Sequence, residues 1–149
     1  MQLEEVLARE QIRDTISRYN HAGDRGRLEE LAECFAEDGV LEIPGVAPLR
    51  GRRAIVEHLS GVVAEGARIA EQPRVFHHVS SIRIEVTGPH SASAHAYFLV
   101  FTEVGLDHWG RYADRFECRD GVWCLAHRRV RVSGATANSR MASEYAVEA

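Results

Sequence analysis

The 149-residue sequence contains no lysine, so all 18 of its basic residues are arginine. Without lysine the chain cannot form a Schiff base with a carbonyl substrate or with pyridoxal phosphate. It also lacks the lysine of a phosphate-binding loop, and no G-x-x-x-x-G-K-[ST] run is present. Any proton transfer must therefore use histidine, aspartate, glutamate, tyrosine or cysteine, with arginine as a permanent cation.

Cysteines and long apolar runs are also scarce. The three cysteines, Cys34, Cys118 and Cys124, are an odd number without C-x-x-C spacing, which argues against a disulfide scaffold or a zinc site. No apolar run has the length of a membrane-spanning helix, and the acidic start MQLEEVLARE is unlike a signal peptide. The net charge of −4 indicates neither a nucleic-acid nor a membrane partner. We therefore expect a cytoplasmic protein.

Sequence motifs for metals and nucleotides are missing as well. There is no H-E-x-x-H, and adjacent His77 and His78 do not have a chelating spacing on one strand. No G-x-G-x-x-G follows a strand, and there is no G-x-S-x-G nucleophile elbow. We therefore expect neither a metal nor a dinucleotide cofactor.

The length suits one domain, with helices first and strands later. Helical periodicity predicts three helices: the first breaks at Gly23, the second ends near Asp38, and the third lies between Gly51 and Gly66. A short strand, VLEIP, precedes the third helix, and four strand-length segments joined by turn signals follow it. This order predicts an α+β domain over residues 1–135, with helices on one face of a curved antiparallel sheet. Residues 136–149 form a weakly patterned tail that is either loose or covers a neighbour or a site mouth.

The adjacent pair His77 and His78 is the first candidate for proton transfer, because histidine titrates near neutral pH. Neighbouring strand residues face opposite sides of a sheet, so only one of the two can point inward. Simple alternation with Ile82 and Ile84 favours His78. A β-bulge near Ser80 would reverse the choice in favour of His77. The residues alone leave both possibilities open.

Two further segments combine phenol and carboxylate groups. Tyr19 and Asp24 stand at the end of the first helix, where Asp24 could instead cap the second helix and Tyr19 could simply fill the core. Tyr112 and Asp114 share one face of a later strand. Asp114 could alternatively pair with an arginine such as Arg128, an arrangement that is costly in a core unless it is fully hydrogen-bonded.

These segments, in this order, resemble the nuclear-transport-factor-2-like superfamily and its SnoaL-like branch over roughly residues 3–132. The matching sequence includes the first two helices, Gly51 before the third, HHVSS at 77–81, GRYAD at 110–114 and DGVW at 120–123. The resemblance implies a cone-shaped α+β barrel in which three N-terminal helices pack on a strongly curved, mainly antiparallel sheet around a deep apolar pocket. It also implies that His77 rather than His78 faces that pocket.

The dehydratases of this superfamily, of the bile acid 7α-dehydratase and scytalone dehydratase types, have the most similar site pattern. The resemblance implies a lyase or isomerase without an organic cofactor, acting on a small, largely apolar molecule with a carbonyl or phenol group. It gives His77, Asp24 and Tyr19 as catalytic residues. Substrate-binding residues would be Tyr112, Asp114, Arg128 and Thr102.

Three other functions are compatible with this resemblance. The same fold also serves as a non-catalytic ligand-binding or assembly module, as a polyketide cyclase, and as an epoxide hydrolase. The hydrolase would need a water-activating set such as Asp24, Arg128 and Asp114. The apolar outer face of the sheet at His95, Tyr97, Leu99 and Phe101 predicts a homodimer or homotrimer.

Overall fold

The computed structural model describes residues 1–69 and 74–141. Two helices open the chain, α1 (Leu3–Asp24) and α2 (Leu28–Glu33). Two strands, β1 (Phe35–Glu42) and β2 (Leu49–Arg50), precede the third helix, α3 (Arg52–Ile69). The four long strands close the order: β3 (Phe76–Gly88), β4 (Ser91–Thr102), β5 (Gly105–Arg119) and β6 (Val122–Ala135).

The six strands form one curved, unclosed sheet in the order β2-β1-β6-β5-β4-β3. The long strands pair antiparallel through short turns, whereas β1 pairs parallel with β6. One turn, RDG, places Asp120 and Gly121 at φ +52° and +80°, the conformation that Asp-Gly favours in a tight hairpin. The helices cover one face, so the predicted α+β class with three helices on a mainly antiparallel sheet is confirmed.

Two predicted helix ends are wrong. The second helix stops at Glu33, and Phe35 begins a strand instead of continuing the helix to Asp38. The reason is a long-range pairing: Leu125 in β6 donates a backbone hydrogen bond to the Cys34 carbonyl, and Phe35 is paired with Leu125 and fully buried. Gly66 does not end the third helix, which continues to Ile69.

A buried ion pair lies within the core beneath α1. Arg128 in β6 donates to both oxygens of Asp114 in β5, at 2.9 and 2.7 Å, and both side chains are fully buried. The guanidinium lies 4.2 Å from the ring centroid of Tyr19 and 3.9 Å from that of Tyr112. Burial alone would lower the pKa of Arg128, but Asp114 outweighs this and raises it, so the cation is permanent.

The outer face of the sheet carries exposed apolar side chains. Tyr97 is 56% exposed and Leu99 is 41% exposed, and His95 between them and the turn is exposed as well. No helix among residues 1–69 and 74–141 is long and apolar enough to cross a membrane. The predicted homo-oligomer through this face stays a prediction.

Gly110→Ala is expected to destabilise the fold severely. A Cβ atom at this position would overlap the Arg131 carbonyl oxygen and lie 2.7 Å from Phe98 Cζ, so β6 and the core would have to shift. Overpacking of this kind costs about 1–3 kcal/mol, and more where backbone must move. Gly61→Ala is the matched control, because its Cβ meets nothing within 4 Å on α3 and should add about 0.5–1 kcal/mol of stability. Urea unfolding measures both variants, and a Gly110→Ala protein as stable as Gly61→Ala would contradict the packing.

Breaking the buried ion pair on one side should cost more than removing it. Asp114→Leu leaves the buried Arg128 cation uncompensated and is expected to cost about 3–5 kcal/mol of unfolding free energy. The double variant Asp114→Leu/Arg128→Met removes both charges and should recover much of that loss. Chemical denaturation of the two single variants and the double variant completes the cycle. A double variant no more stable than Asp114→Leu would show that charge is not the source of the cost.

Candidate functional site

A cavity of about 380 Å³ lies between the helices and the concave face of the sheet. Most of its wall is apolar, with contributions from α2, α3 and the inner faces of the long strands. Its polar lining consists of exposed charged residues and of side chains that are buried or half-buried. Besides Arg140, the second group comprises Tyr19, Asn20, Asp24, His77, Thr102, His108 and Tyr112. An apolar cavity with a few converging polar groups is the usual form of a small-molecule site.

His77 and Asp24 meet at the cavity wall although 53 residues separate them. Asp24 Oδ1 lies 2.5 Å from His77 Nδ1, and Asp24 Oδ2 accepts a 3.0 Å hydrogen bond from the His77 backbone N–H. Asp24 therefore holds both the ring and the backbone of His77. It does not cap α2, whose N-cap is Arg27 without a side-chain hydrogen bond.

A β-bulge in β3 decides which histidine faces the cavity. Ser80 pairs with Tyr97 and Arg83 pairs with His95, so Ser81 and Ile82 together oppose one residue of β4. Ser81 takes a positive φ of 51° at this point. The bulge shifts the alternation by one residue, so His77 faces inward with Ile82, and His78 is exposed on the other side.

Two tyrosines form the cavity wall next to the buried cation. Tyr112 donates a 3.0 Å hydrogen bond to Asn20 Oδ1, and its ring stacks on Phe98 at 4.8 Å. The Tyr19 ring meets Tyr112 edge-on at 6.3 Å. Burial raises the pKa of both phenols, and Arg128 only partly offsets this. Both are therefore neutral hydrogen-bond donors near pH 7.

Two of the predicted substrate-binding residues lie outside the cavity wall. Asp114 and Arg128 do not line the cavity, because they are bonded to each other behind the two tyrosines. They support the wall instead of reaching a ligand. They also do not join Asp24 in one water-binding set, because Asp24 is bonded to His77. Thr102 does line the cavity, but its hydroxyl donates to Asp107 at 2.9 Å.

The structure adds a second histidine–carboxylate pair that the sequence reasoning missed. His108 lines the cavity, and its Nδ1 lies 2.8 Å from Asp107 Oδ1. Asp107 is fully buried although it precedes His108 directly. Val100 pairs with His108 and Phe101 with Leu106, which makes Asp107 the extra residue of a bulge. The visible signal was an Asp-His dipeptide near the start of a strand, two residues after Gly105.

The first part of the predicted tail contacts this pair. Ser139 Oγ donates to Asp107 Oδ1 at 2.5 Å, and the Arg140 backbone N–H donates to Oδ2 at 2.7 Å. Arg140 and Met141 then contribute to the cavity wall. Residues 136–141 thus cover part of the cavity, while the remainder of the predicted tail lies outside the described residues.

The charge around the cavity is mixed. Exposed Arg25, Glu65, Arg74 and Glu103 contribute to its lining, so neither sign predominates at these positions. Within the described ranges, no group of three or more His, Cys, Asp or Glu side chains is arranged to hold a metal ion. The chemistry that this geometry offers is proton transfer by imidazole and hydrogen bonding by neutral phenols.

Solved structures with the same architecture support this description of the fold. The protein is similar to a putative scytalone dehydratase from Novosphingobium aromaticivorans, with 23% identity, a TM-score of 0.78 and coverage of 100% of this chain and 95% of that one. An NTF2-like protein with a cystatin-like fold from the same species has 25% identity, a TM-score of 0.77 and coverage of 93% and 90%. A hexachlorocyclohexane dehydrochlorinase, LinA type 2, has 19% identity, a TM-score of 0.76 and coverage of 90% of each chain.

The sequence has no significant match among curated proteins. The model of the SnoaL-like domain, however, matches residues 4–129, which include nearly all of α1, the whole of α2, α3 and β1 to β5, and just over half of β6. The chain therefore belongs to the family of SnoaL-like domains.

Proposed function

We propose that the protein is a lyase of the dehydratase type that needs no organic cofactor. Its substrate would be a small, largely apolar molecule with a carbonyl or phenol group, held in the cavity. The observation that carries this proposal is the pair of hydrogen bonds between Asp24 and His77, one to the ring and one to the backbone, at the wall of an apolar cavity. Two structural neighbours bear the names dehydratase and dehydrochlorinase, and both names describe elimination reactions.

In the proposed reaction His77 removes a proton from carbon. The carboxylate of Asp24 fixes the ring through Nδ1, so that Nε2 is the basic nitrogen, and it stabilises the imidazolium that forms. The electrons of the broken C–H bond form the double bond as the C–O bond breaks. The hydroxyl departs with the electrons of that bond, takes the proton from the imidazolium and leaves as water, which regenerates the neutral imidazole. A positioned base of this kind contributes roughly 10²–10⁴-fold in rate.

Tyr19 would stabilise the negative charge that develops on the substrate oxygen. Its phenol is neutral at pH 7 because burial raises its pKa, and the Arg128 cation lies against its ring. Tyr112 is less suitable for this role, because its hydroxyl already donates to Asn20. A hydrogen-bond donor in a cavity from which water is excluded can lower the activation free energy by about 3–4 kcal/mol. Without lysine, the intermediate would be an enolate or phenolate instead of an iminium.

The activity can be tested before the natural substrate is known. Nitrobenzisoxazole undergoes elimination when a base removes its ring C–H proton, because the N–O bond then breaks to give a nitrile and a coloured phenolate. We expect turnover above that of free imidazole, and a loss of roughly 10²–10⁴-fold in His77→Ala. Asp24→Asn should also lose rate, since the amide no longer stabilises the imidazolium.

The adjacent histidine provides the matched control. His78→Ala removes the same side chain from the exposed face of the same strand, so its rate should equal that of the wild type. A folded His77→Ala protein with near-normal turnover would contradict the role of His77. A wild type no faster than free imidazole would favour the alternative of a non-catalytic ligand-binding module.

A further inference from the structure

Residues 136–141, here called the cover segment, return from the end of β6 and cover one side of the cavity. The Thr136 backbone N–H donates to the Asp107 carbonyl oxygen at 2.9 Å, and the Thr136 hydroxyl donates to the same oxygen at 3.3 Å. The Ser139 backbone N–H then donates to the Thr136 carbonyl oxygen at 3.1 Å, which closes a turn. This turn brings Met141 to the cavity wall.

The carboxylate of Asp107 joins the cover segment to the sheet. One of its oxygens accepts a hydrogen bond from the Ser139 hydroxyl at 2.5 Å, and the other accepts one from the Arg140 backbone N–H at 2.7 Å. Asp107 is fully buried in the bulge of β5, so the carboxylate has a fixed position. Its hydrogen bonds outweigh the effect of burial and lower its pKa, so it is ionised near pH 7 and accepts strongly.

Met141 packs next to the proposed base. Its half-buried side chain lies against a buried cluster whose members are Ala96, Phe98, Val100 and Tyr112. The centroid of the Phe98 ring lies 6.3 Å from that of the His77 ring, and Met141 lines the cavity together with both of these rings. A ligand that fills the cavity beside His77 therefore lies against Met141 as well. The flexible thioether side chain of methionine adapts to irregular apolar shapes.

We propose that Met141 is a specificity residue that closes the cavity over the apolar part of the ligand, and that Asp107 is the positioning residue that holds it there. The proposal rests on the proposed function in taking this cavity as the substrate site. Met141 supplies apolar contact, which strengthens the binding of an apolar ligand without taking part in proton transfer. Asp107 does not line the cavity and acts through the cover segment.

Truncation of Met141 should weaken binding without slowing the chemistry. β-Naphthol is a largely apolar phenol, and titration calorimetry measures its affinity without turnover. Met141→Ala should bind it roughly three- to tenfold more weakly, because apolar contact equivalent to one or two methylene groups is lost. Met141→Leu conserves most of the volume and should retain the affinity.

The kinetic constants of the elimination give a second readout. With nitrobenzisoxazole, KM should rise in Met141→Ala by a factor similar to the loss of affinity, while kcat stays within about twofold of the wild type. Val122→Ala is the matched control, because Val122 is 59% exposed at the start of β6, and this variant should leave both constants unchanged. Thermal unfolding verifies that each variant is folded.

Ser139→Ala tests the role of Asp107 without changing the carboxylate. The variant removes a hydroxyl that joins the cover segment to Asp107 and leaves the contact between Asp107 and His108 in place. Its affinity for β-naphthol should fall by about two- to tenfold, the equivalent of one net hydrogen bond, whereas Ser139→Thr keeps a hydroxyl and should bind like the wild type. Ser139→Ala/Met141→Ala should bind no more weakly than Met141→Ala, because both changes remove the same contact with the ligand.

Trypsin reports directly on the position of the cover segment. Because the chain has no lysine, trypsin cuts it only after arginine, and the cover segment contains one arginine, Arg140. The Arg140 backbone N–H is bonded to Asp107, so cleavage requires local opening. Bound β-naphthol should slow the release of residues 141–149, as followed by mass spectrometry, and Ser139→Ala should accelerate it by about two- to tenfold. Ser60→Ala, on the exposed face of α3, is the matched control.

Each contrary result has a distinct meaning. Wild-type affinity in Met141→Ala would overturn the contact between Met141 and the ligand, and so would a fall in kcat with an unchanged KM. Wild-type affinity in Ser139→Ala, or additive losses in the double variant, would overturn the positioning role of Asp107. A wild type that does not bind β-naphthol would remove the cavity as the ligand site, and the proposal with it.

The lyase can fail separately. If the wild type is no faster than free imidazole with nitrobenzisoxazole, while its affinity for β-naphthol still depends on Met141 and Ser139, the proposed reaction is wrong. The closing role of Met141 is then supported for a ligand-binding module. If turnover depends on His77 while Met141→Ala retains wild-type affinity and KM, the lyase is supported and the closing role of Met141 is overturned.

Discussion

The permanent charge of Arg128 determines how the wall of the cavity is built. Its guanidinium joins β6 to β5 through Asp114 and lies between the rings of Tyr19 and Tyr112. Taking two ions out of water is costly, and only a geometry with two hydrogen bonds and two aromatic faces offsets that cost. The planar guanidinium matches this geometry, whereas a lysine ammonium would neither pair with both oxygens nor stack. In a chain without lysine, this cation is an arginine, and the ion pair with Asp114 keeps it charged.

The pairing of the four long strands follows from local signals, whereas the end of α2 does not. Turns such as Asp120-Gly121 lie between short alternating segments, so adjacent hairpins are the simplest solution. At Phe35 the local sequence continues a helical pattern. Phe35 becomes a strand residue because Leu125, ninety residues later, needs a backbone partner at that edge of β6. Sequence periodicity carries no information about such a distant pairing, so this boundary could not be predicted from it.

In the candidate site, too, the local sequence predicts some features and misses others. Residue types and spacing identified Tyr19, Asp24 and the histidine pair as candidates, but alternation alone selected the wrong histidine of the two. The residue facing the cavity is His77, because the bulge at Ser81 shifts the alternation. The sequence left such a bulge open as one of two possibilities, and the family resemblance favoured His77. The sequence did not single out His108, and strict alternation would place Asp107 on the opposite face of the strand. A second bulge brings both inward.

Both histidine–carboxylate pairs thus depend on departures from regular strand alternation. Regular alternation in β3 would turn His78 inward instead of His77, away from Asp24, and regular alternation in β5 would place Asp107 and His108 on opposite faces. The bulges differ in what they expose. The one in β3 leaves the imidazole of His77 partly accessible to water. The one in β5 buries His108 and Asp107 beneath residues 136–141, where charging the imidazole is unfavourable. The two pairs consist of the same residue types, so the difference between them lies in burial: His77 and Asp24 are partly exposed, whereas His108 and Asp107 are buried.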